Sequence, residues 1–295
     1  MGHSERASPG NPQRITDPES PYGSGVQADP LQRKTPFPSN GSLRKISAGI
    51  RLGPSLEKIN FEPQDKPNIS IIVPVLNEAE RILSMIRQVQ SLNPFEYWIV
   101  DGGSTDGTPD LAGKHTDRVL FVSGGLPAQL NLGGWKAKGD ILFFVHADSR
   151  IPENALQSIS QSMKDPRVAG GGFHLKIRSD RRMIETISRL ANLRARILGA
   201  PLGDQGIFVR KEVFIRLNGF RSDVLLEDLD FSLRMKKQGR VVLLSEQIIT
   251  SPRKWERYGV LGTTLAHLRF LIGHFIHANP EELKKRYASF KNRAR

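Results

Sequence analysis

The sequence contains no cysteine. That absence removes disulfides, zinc–thiolate sites and thiol nucleophiles, and it fits a reducing compartment. Also missing is any run of about 18 uninterrupted apolar residues, the length that a membrane-crossing helix needs. The nearest approach, Tyr258 to Ala278, is interrupted by Thr263, His267, Arg269, His274 and His277. It reads as a core helix, with a helix lying on a membrane surface as the alternative. The first residues hold no apolar core of a secretory signal. Arg6 stands where a myristoylation pattern wants Ser or Thr, and Glu5, Asp17, Glu19 and Asp29 are too acidic for a transit peptide. A cytoplasmic protein is expected, at most seated on the inner face of a membrane. Residues 1–66 have few aromatics and no apolar period, and are rich in Pro, Ser, Gly and Gln. Such a segment cannot bury enough apolar surface to offset its ordering entropy, so a disordered tail is expected there and one domain over 67–290.

What the chain does have is positive charge. Lys and Arg number 43 against 30 Asp and Glu, a formal net of +13, and Arg253 to Arg295 alone carries ten Lys/Arg against three Glu. A basic surface attracts polyanions or anionic headgroups. No nucleic-acid module and no basic–aromatic interleaving accompanies the charge, so nucleic acid is not an expected partner. The 38% hydrophobic and 25% charged content is ordinary for a globular domain.

At Asn68 the pattern changes. Ile69 to Val75 is a β-branched run suited to a buried parallel strand. Asn77-Glu78-Ala79-Glu80 opens a helix to about Ser91, with acid in its first turn. Strands are predicted at Tyr97–Val100, Val119–Val122 and Ile141–Val145, with a short helix after Asp106-Gly107-Thr108-Pro109 and another over about Pro127–Lys138. This alternation predicts an α/β fold, a mostly parallel sheet with helices on both faces, whose ligands bind at the carboxyl ends of the strands. Further on, Gly170–Ile177 and Val241–Ile249 read as strands, and Arg181–Leu198 as an amphipathic helix with a basic polar side.

Polar residues collect just past those strand ends. Asn77 and Glu78 follow the first strand, and Asp101-Gly102-Gly103-Ser104-Thr105-Asp106-Gly107-Thr108 follows the second. Glycine lets a nucleotide approach the backbone while the carboxylates accept hydrogen bonds from base or ribose; a turn capped by Asp and Ser is the plainer reading. His146-Ala147-Asp148 follows the fourth strand and offers two metal-competent side chains one residue apart, able to hold a cation against a diphosphate. Glu227-Asp228-Leu229-Asp230-Phe231 opens a helix. Its carboxylates favour the helix dipole, or one faces the cleft as a general base.

Taken in order, Ile-Val-Pro-x-x-Asn-Glu, Val-Asp-Gly-Gly-Ser-Thr-Asp-Gly-Thr, a strand ending in x-x-Asp, and Glu-Asp-x-Asp-Phe resemble the family-2 inverting glycosyltransferases of GT-A fold. His146-Ala147-Asp148 with Gly203-Asp204-Gln205-Gly206-Ile207-Phe208 is similar to their bacterial "selenodomain-associated transferase 2" branch. The resemblance covers about residues 68–285. It implies that Pro74, Asn77, Glu78 and Asp101 lie beside the nucleoside, with Asp106 at the ribose or loop and Gln129 and Asn131 in the donor site. It implies Asp148, with His146, as ligands of Mg2+ or Mn2+ on the diphosphate. Asp228 is the implied base, Gly203, Asp204, Gln205 and Glu227 the sugar and acceptor side, and Arg253, Trp255 and Arg257 a segment closing over the diphosphate. The branch's Gly-Arg-Ala-Arg-Gln-x-Asn is here Gly125-Leu126-Pro127-Ala128-Gln129-Leu130-Asn131, without the two arginines; Lys136 or Arg253 is the implied substitute.

The expected reaction is a single displacement from a nucleoside diphosphate sugar, uridine ahead of guanosine, to an acceptor alcohol or lipid, with a peripheral membrane contact where the acceptor is a lipid. A nucleotidyltransferase would need a Gly-rich triphosphate loop where Pro74-Val75-Leu76-Asn77 stands. A sugar-nucleotide-binding or scaffold protein without turnover is the remaining alternative, suggested by the absent arginines.

Overall fold

The computed structural model describes residues 67–258 except Leu225, together with Gly262 and Arg269. The tail expected over 1–66 and nearly all of the apolar segment Tyr258–Ala278 lie outside the described residues, as does the side chain of Arg257.

β1 (Ile69–Val75) is buried along its whole length. Its alternate residues serve two layers: Ile71, Val73 and Val75 pack into one core, Ile72 into another. A strand covered on both faces must be apolar at every position. α1 (Ala79–Ser91) buries Ile82, Met85, Ile86 and Val89, the spacing of one helical face. There follow β2 (Glu96–Asp101), α2 (Thr108–Gly113), β3 (Val119–Phe121), α3 (Leu126–Lys136) and β4 (Ile141–Phe144). The second half contributes α4 (Ala155–Met163), β5 (Val168–Ile177), α5 (Arg182–Leu198), β6 (Ile207–Arg210), α6 (Lys211–Arg216), α7 (Glu227–Lys236), β7 (Arg240–Thr250) and α8 (Arg253–Tyr258).

The sheet order is β3-β2-β1-β4-β6-β5-β7. All pairings are parallel except those of β6, which runs against both β4 and β5. One core lies under α1 and α4, the other under α3, α6 and α7, where Phe220 and Phe231 stack at 4.1 Å between centroids. Among the described residues no helix is long and apolar enough to cross a membrane.

Four elements were not read from the sequence: α4, α6, α8 and β6, the last too short to show an alternation. β6 positions the site. Because it is antiparallel, Ile207 at its start pairs with Phe144 at the end of β4, so residues entering β6 meet residues leaving β4. β5 begins two residues before the glycine triplet rather than on it. The glycines answer a close approach, since a Cβ on Gly171 would lie 2.2 Å from the Val242 carbonyl oxygen. α5 exposes Arg182, Arg189 and Arg196, the basic side expected of it, and apolar residues beside them. Ser188 is buried, while Met183, Leu190, Leu193 and Ile197 are exposed.

Candidate functional site

At the ends of β1 and β2 the loops are cross-linked. Asn77 adopts φ 55°, a left-handed conformation that Asn tolerates. There its amide donates to Ser104 Oγ at 2.8 Å, and its Oδ1 accepts the Thr105 amide at 2.9 Å. The Glu78 amide donates to Thr108 Oγ1 at 2.9 Å and the Ala79 amide to Asp106 Oδ2 at 3.0 Å. Asp106 Oδ1 accepts both the hydroxyl of Thr108, at 2.5 Å, and its amide, at 3.0 Å. These donors, the Thr108 hydroxyl foremost, hold the Asp106 carboxyl below the usual aspartate range. Asp106 therefore clamps the loop.

Asp101 is 1% exposed. Its Oδ1 accepts the amides of Gly103 and Ser104, each at 2.8 Å, whereas Oδ2 is buried without a hydrogen-bond partner. A buried acceptor left unmade costs about 1–3 kcal/mol, and a donor supplied by a ligand removes that cost.

Several amides named from the resemblance bond the protein's own backbone. Gln129 Nε2 donates to the carbonyls of Val75, at 2.8 Å, and Val100, at 2.7 Å. Asn131 accepts the Phe220 amide at 2.7 Å and donates to the Phe220 carbonyl at 2.8 Å. Gln205, fully buried, accepts from the Leu202 amide and from Arg194 and donates to the Phe173 carbonyl. These three hold strand ends and turns in place and stand one layer behind the cleft surface. Lys136 reaches away from the strand ends to lie 5.9 Å over the Trp98 ring.

A second group converges across β4, β6 and α7. A cleft of about 320 Å3, open mouth included, has an apolar wall formed in part by Pro74, Leu126, Leu130, Phe144 and Phe220, and a polar side of His146, Gly203, Glu227 and Asp228. Asp228, in the first turn of α7, is held at both oxygens: Oδ2 accepts the Gly203 amide at 2.9 Å and Oδ1 the Leu229 amide at 2.8 Å. Each carboxylate oxygen accepts two hydrogen bonds, so each retains a lone pair. A Cβ on Gly203 would sit 2.8 Å from His146 Nε2 and 3.5 Å from Asp228 Oδ2; imidazole and carboxylate flank this glycine. Asp204 adjoins them. It and Asp228 oppose the burial that pushes the Arg194 guanidinium below its usual value.

The sequence reading aimed His146 and Asp148 at one cation. In the structure His146 turns to Gly203 and Asp228, while Asp148 Oδ2 lies 3.5 Å from Arg253 Nη2. The reason is local. β4 ends at Phe144, and a turn closed by the Ser149 amide on the His146 carbonyl follows, so the two-residue period of a strand no longer applies. Arg253 also donates to the Glu78 carboxylate, at 3.1 and 3.4 Å, and thus bridges the end of β1 to the end of β4. Trp255 is 6% exposed beneath it, among Leu175, Ile177 and Ile184. No three His, Cys, Asp or Glu side chains come together to hold an ion among the described residues.

The apolar wall was not legible from the sequence. Leu126 occupies one of the two positions where the resemblance expects arginine, and Phe220 is delivered by the turn that Asn131 clamps.

Residues 70–214 match the family described as Glycosyl transferase family 2. Over 211 residues the chain is 28% identical to the uncharacterized protein MT1568 of Mycobacterium tuberculosis, a match covering 62% of this chain and 66% of that one. Over 217 residues it is 24% identical to the beta-monoglucosyldiacylglycerol synthase of Synechocystis sp., covering 66% of this chain and 45% of that one. The chain thus spans less than two thirds of the length of these curated relatives. Among solved structures, the mannosyltransferase PcManGT from Pyrobaculum calidifontis, in complex with GDP-Man and Mn2+, gives a TM-score of 0.56 at 22% identity, covering 75% of this chain and 68% of that one. That likeness is one of fold, the GT-A arrangement of a mostly parallel sheet between helices.

Proposed function

From a glycosyl transferase family 2 domain on a GT-A fold, we propose an inverting glycosyltransferase that moves a sugar from a nucleoside diphosphate sugar to an acceptor hydroxyl. The observation that carries it is Asp228: a carboxylate fixed by two amides, lone pairs to spare, on the polar side of an otherwise apolar cleft. Asp228 takes the proton of the acceptor hydroxyl as that oxygen attacks the anomeric carbon from the side opposite the diphosphate, so one displacement inverts the centre. The apolar wall keeps water, the competing nucleophile, away from the reacting carbon.

The donor lies over the ends of β1 and β2. Asp101 Oδ2 accepts one base N–H. Its partner oxygen is already taken by two amides, so a base with a single N–H, uracil, suits it better than guanine with its adjacent ring and amino donors. Asn77, Asp106, Gln129 and Asn131 hold this surface in shape, and Arg253, between Glu78 and Asp148, meets the diphosphate. A carboxylate oxygen suits a hard divalent ion: Asp148 would be the protein's ligand to Mg2+ or Mn2+, with the diphosphate supplying further oxygens. Bound there, the ion neutralises charge on the departing nucleoside diphosphate. The Gly203-Asp204-Gln205 segment supports the selenodomain-associated branch, and the acceptor is an alcohol or a lipid; the Synechocystis relative is named as a synthase of a monoglucosyldiacylglycerol.

The test is a panel of nucleotide sugars scored for thermal stabilisation with Mn2+, followed by turnover assays on Asp228→Asn. Donor stabilisation should persist while kcat falls by about 10²- to 10⁴-fold, the worth of a positioned base. Equal loss of both would remove Asp228 from this role. Stabilisation without turnover in the unaltered protein would favour a binding protein, the reading that Leu126 in place of arginine suggests.

A further inference from the structure

α5 turns a mixed face inward, Ile184 and Ala195 buried beside Ser188 with Ile187 and Ala191 packed on the cluster of Leu175, Ile177 and Trp255, and a second apolar face outward. β6 pairs with β5 only at Gly170 and Gly171, which leaves the far half of β5 without a strand neighbour on that side. The inward side of α5 supplies the missing partners. Asn192 accepts the Leu175 amide at 2.7 Å and donates to the Leu175 carbonyl at 3.0 Å; Ser188 Oγ accepts the Ile177 amide at 3.1 Å; Arg194 bonds Gln205 at 2.9 Å. Polar residues on this side of the helix are thereby explained.

Among the described residues nothing covers the outward side. Met183, Leu190, Leu193 and Ile197 are 52%, 58%, 52% and 69% exposed. At 100° per residue they fall within one sector of about 80°. Four of the nine exposed large apolar residues among the described residues therefore form a single stripe, a contiguous patch of the kind that marks an interaction surface. Between Arg178 and Arg196 the exposed charges are five arginines (178, 181, 182, 189, 196) against Asp180 and Glu185. Arg182, Arg189 and Arg196 recur every seventh residue along one flank of the stripe. An apolar stripe edged by arginine matches a bilayer interface: alkyl side chains enter the acyl boundary, and guanidinium groups meet anionic headgroups.

The helix also points at the chemistry. Its last carbonyl, Leu198, accepts Lys236 Nζ at 2.7 Å, and the Pro201 carbonyl accepts Ser232 Oγ at 2.6 Å. Both donors belong to α7, whose first turn carries Asp228. Five residues separate Ile197 from Gly203, no more than about 20 Å of chain.

The geometry points to α5 as a docking face for an anionic lipid bilayer, placing Gly203 and Asp228 near headgroup level, so that the acceptor is the hydroxyl of a membrane-resident amphiphile. The docking stands on α5 alone; the acceptor class rests on the glycosyl-transfer reading.

The test is flotation of the full chain with vesicles of phosphatidylcholine, with and without phosphatidylglycerol. The protein should float with the anionic vesicles, less so in high salt. Leu190→Ser with Ile197→Ser should lower partitioning by about tenfold or more, and the milder Leu190→Ala with Ile197→Ala by less. Phe121→Ser with Ile215→Ser, exposed apolar residues away from α5, should change nothing. Undiminished flotation of the Leu190/Ile197 variants would overturn the proposal, as would equal losses in the Phe121/Ile215 control. So would a dimer in sedimentation that the α5 variants dissolve, because the stripe would then belong to a second copy. Flotation involves no turnover, and donor-dependent thermal stabilisation is read separately, so failure here leaves Asp228's role intact.

Discussion

The two ends of the cleft spend their polar groups differently. Past β1 and β2, Asn77, Ser104, Asp106 and Thr108 bond one another and nearby amides, and Gln129 braces both strand ends from behind. A single oxygen, Asp101 Oδ2, is left over. Past β4 and before β6, Asp228 is held by only two amides and otherwise faces a cavity. The first end is shaped before its ligand arrives and offers one acceptor for recognition. The second keeps lone pairs in reserve beside a water-poor wall, as a proton-accepting site requires. A site that binds can consume its own polar groups in rigidity; a site that reacts must hold some back.

Three substitutions would sharpen or break this contrast. The largest effect belongs to Gly203→Ala, whose methyl would meet His146 Nε2 at 2.8 Å and displace the base or the imidazole. Displacements of an ångström cost up to about 10²-fold in rate. kcat should fall on that order with donor stabilisation unchanged, and adding His146→Ala should restore part of it. An unimpaired Gly203→Ala enzyme would mean that the acceptor end is looser than drawn. Next, Gln129→Leu strands two buried carbonyls, at about 1–3 kcal/mol each. Chemical denaturation should show a loss of several kcal/mol; if instead donor affinity fell at constant stability, Gln129 would belong to the binding surface. Smallest is Asp106→Asn. The lowered carboxyl pKa means that the native state favours the ionised form. Its stabilising contribution is therefore complete above the ordinary value of 3.8 and disappears as pH falls through the lowered folded value. The stability curves of the two proteins should separate at neutral pH and meet at the acid extreme; parallel curves would show that the loop does not depend on this charge.

The donor end was readable because Asn77, Asp101 and Asp106 lie within one short stretch of chain, at or within a few residues of the ends of two strands rich in apolar residues. Gln129, Asn131 and Gln205 were assigned to the ligand by the family resemblance alone; the backbone groups they serve are visible only once strands and turns are assembled. His146 and Asp148 were paired as metal-competent side chains one residue apart; past the end of β4 the imidazole stands beside Gly203 and the carboxylate beside Arg253, which the sequence does not display. The second, outward apolar face of α5 was hidden for a related reason. Its helical period marks two faces, and which one turns inward depends on the open edge of β5, itself a result of the shortness of β6.

The reversed direction of β6 carries one more consequence. A parallel strand in that place would need a long crossover to reach it, ending at the far edge of the sheet. Running the other way, β6 is entered from the cleft itself, and the register Phe144↔Ile207 is indifferent to the length of what precedes it. Residues inserted ahead of Ile207 would remodel the acceptor's surroundings like a graft at a single seam, while the donor's cradle, laced together elsewhere, kept its form.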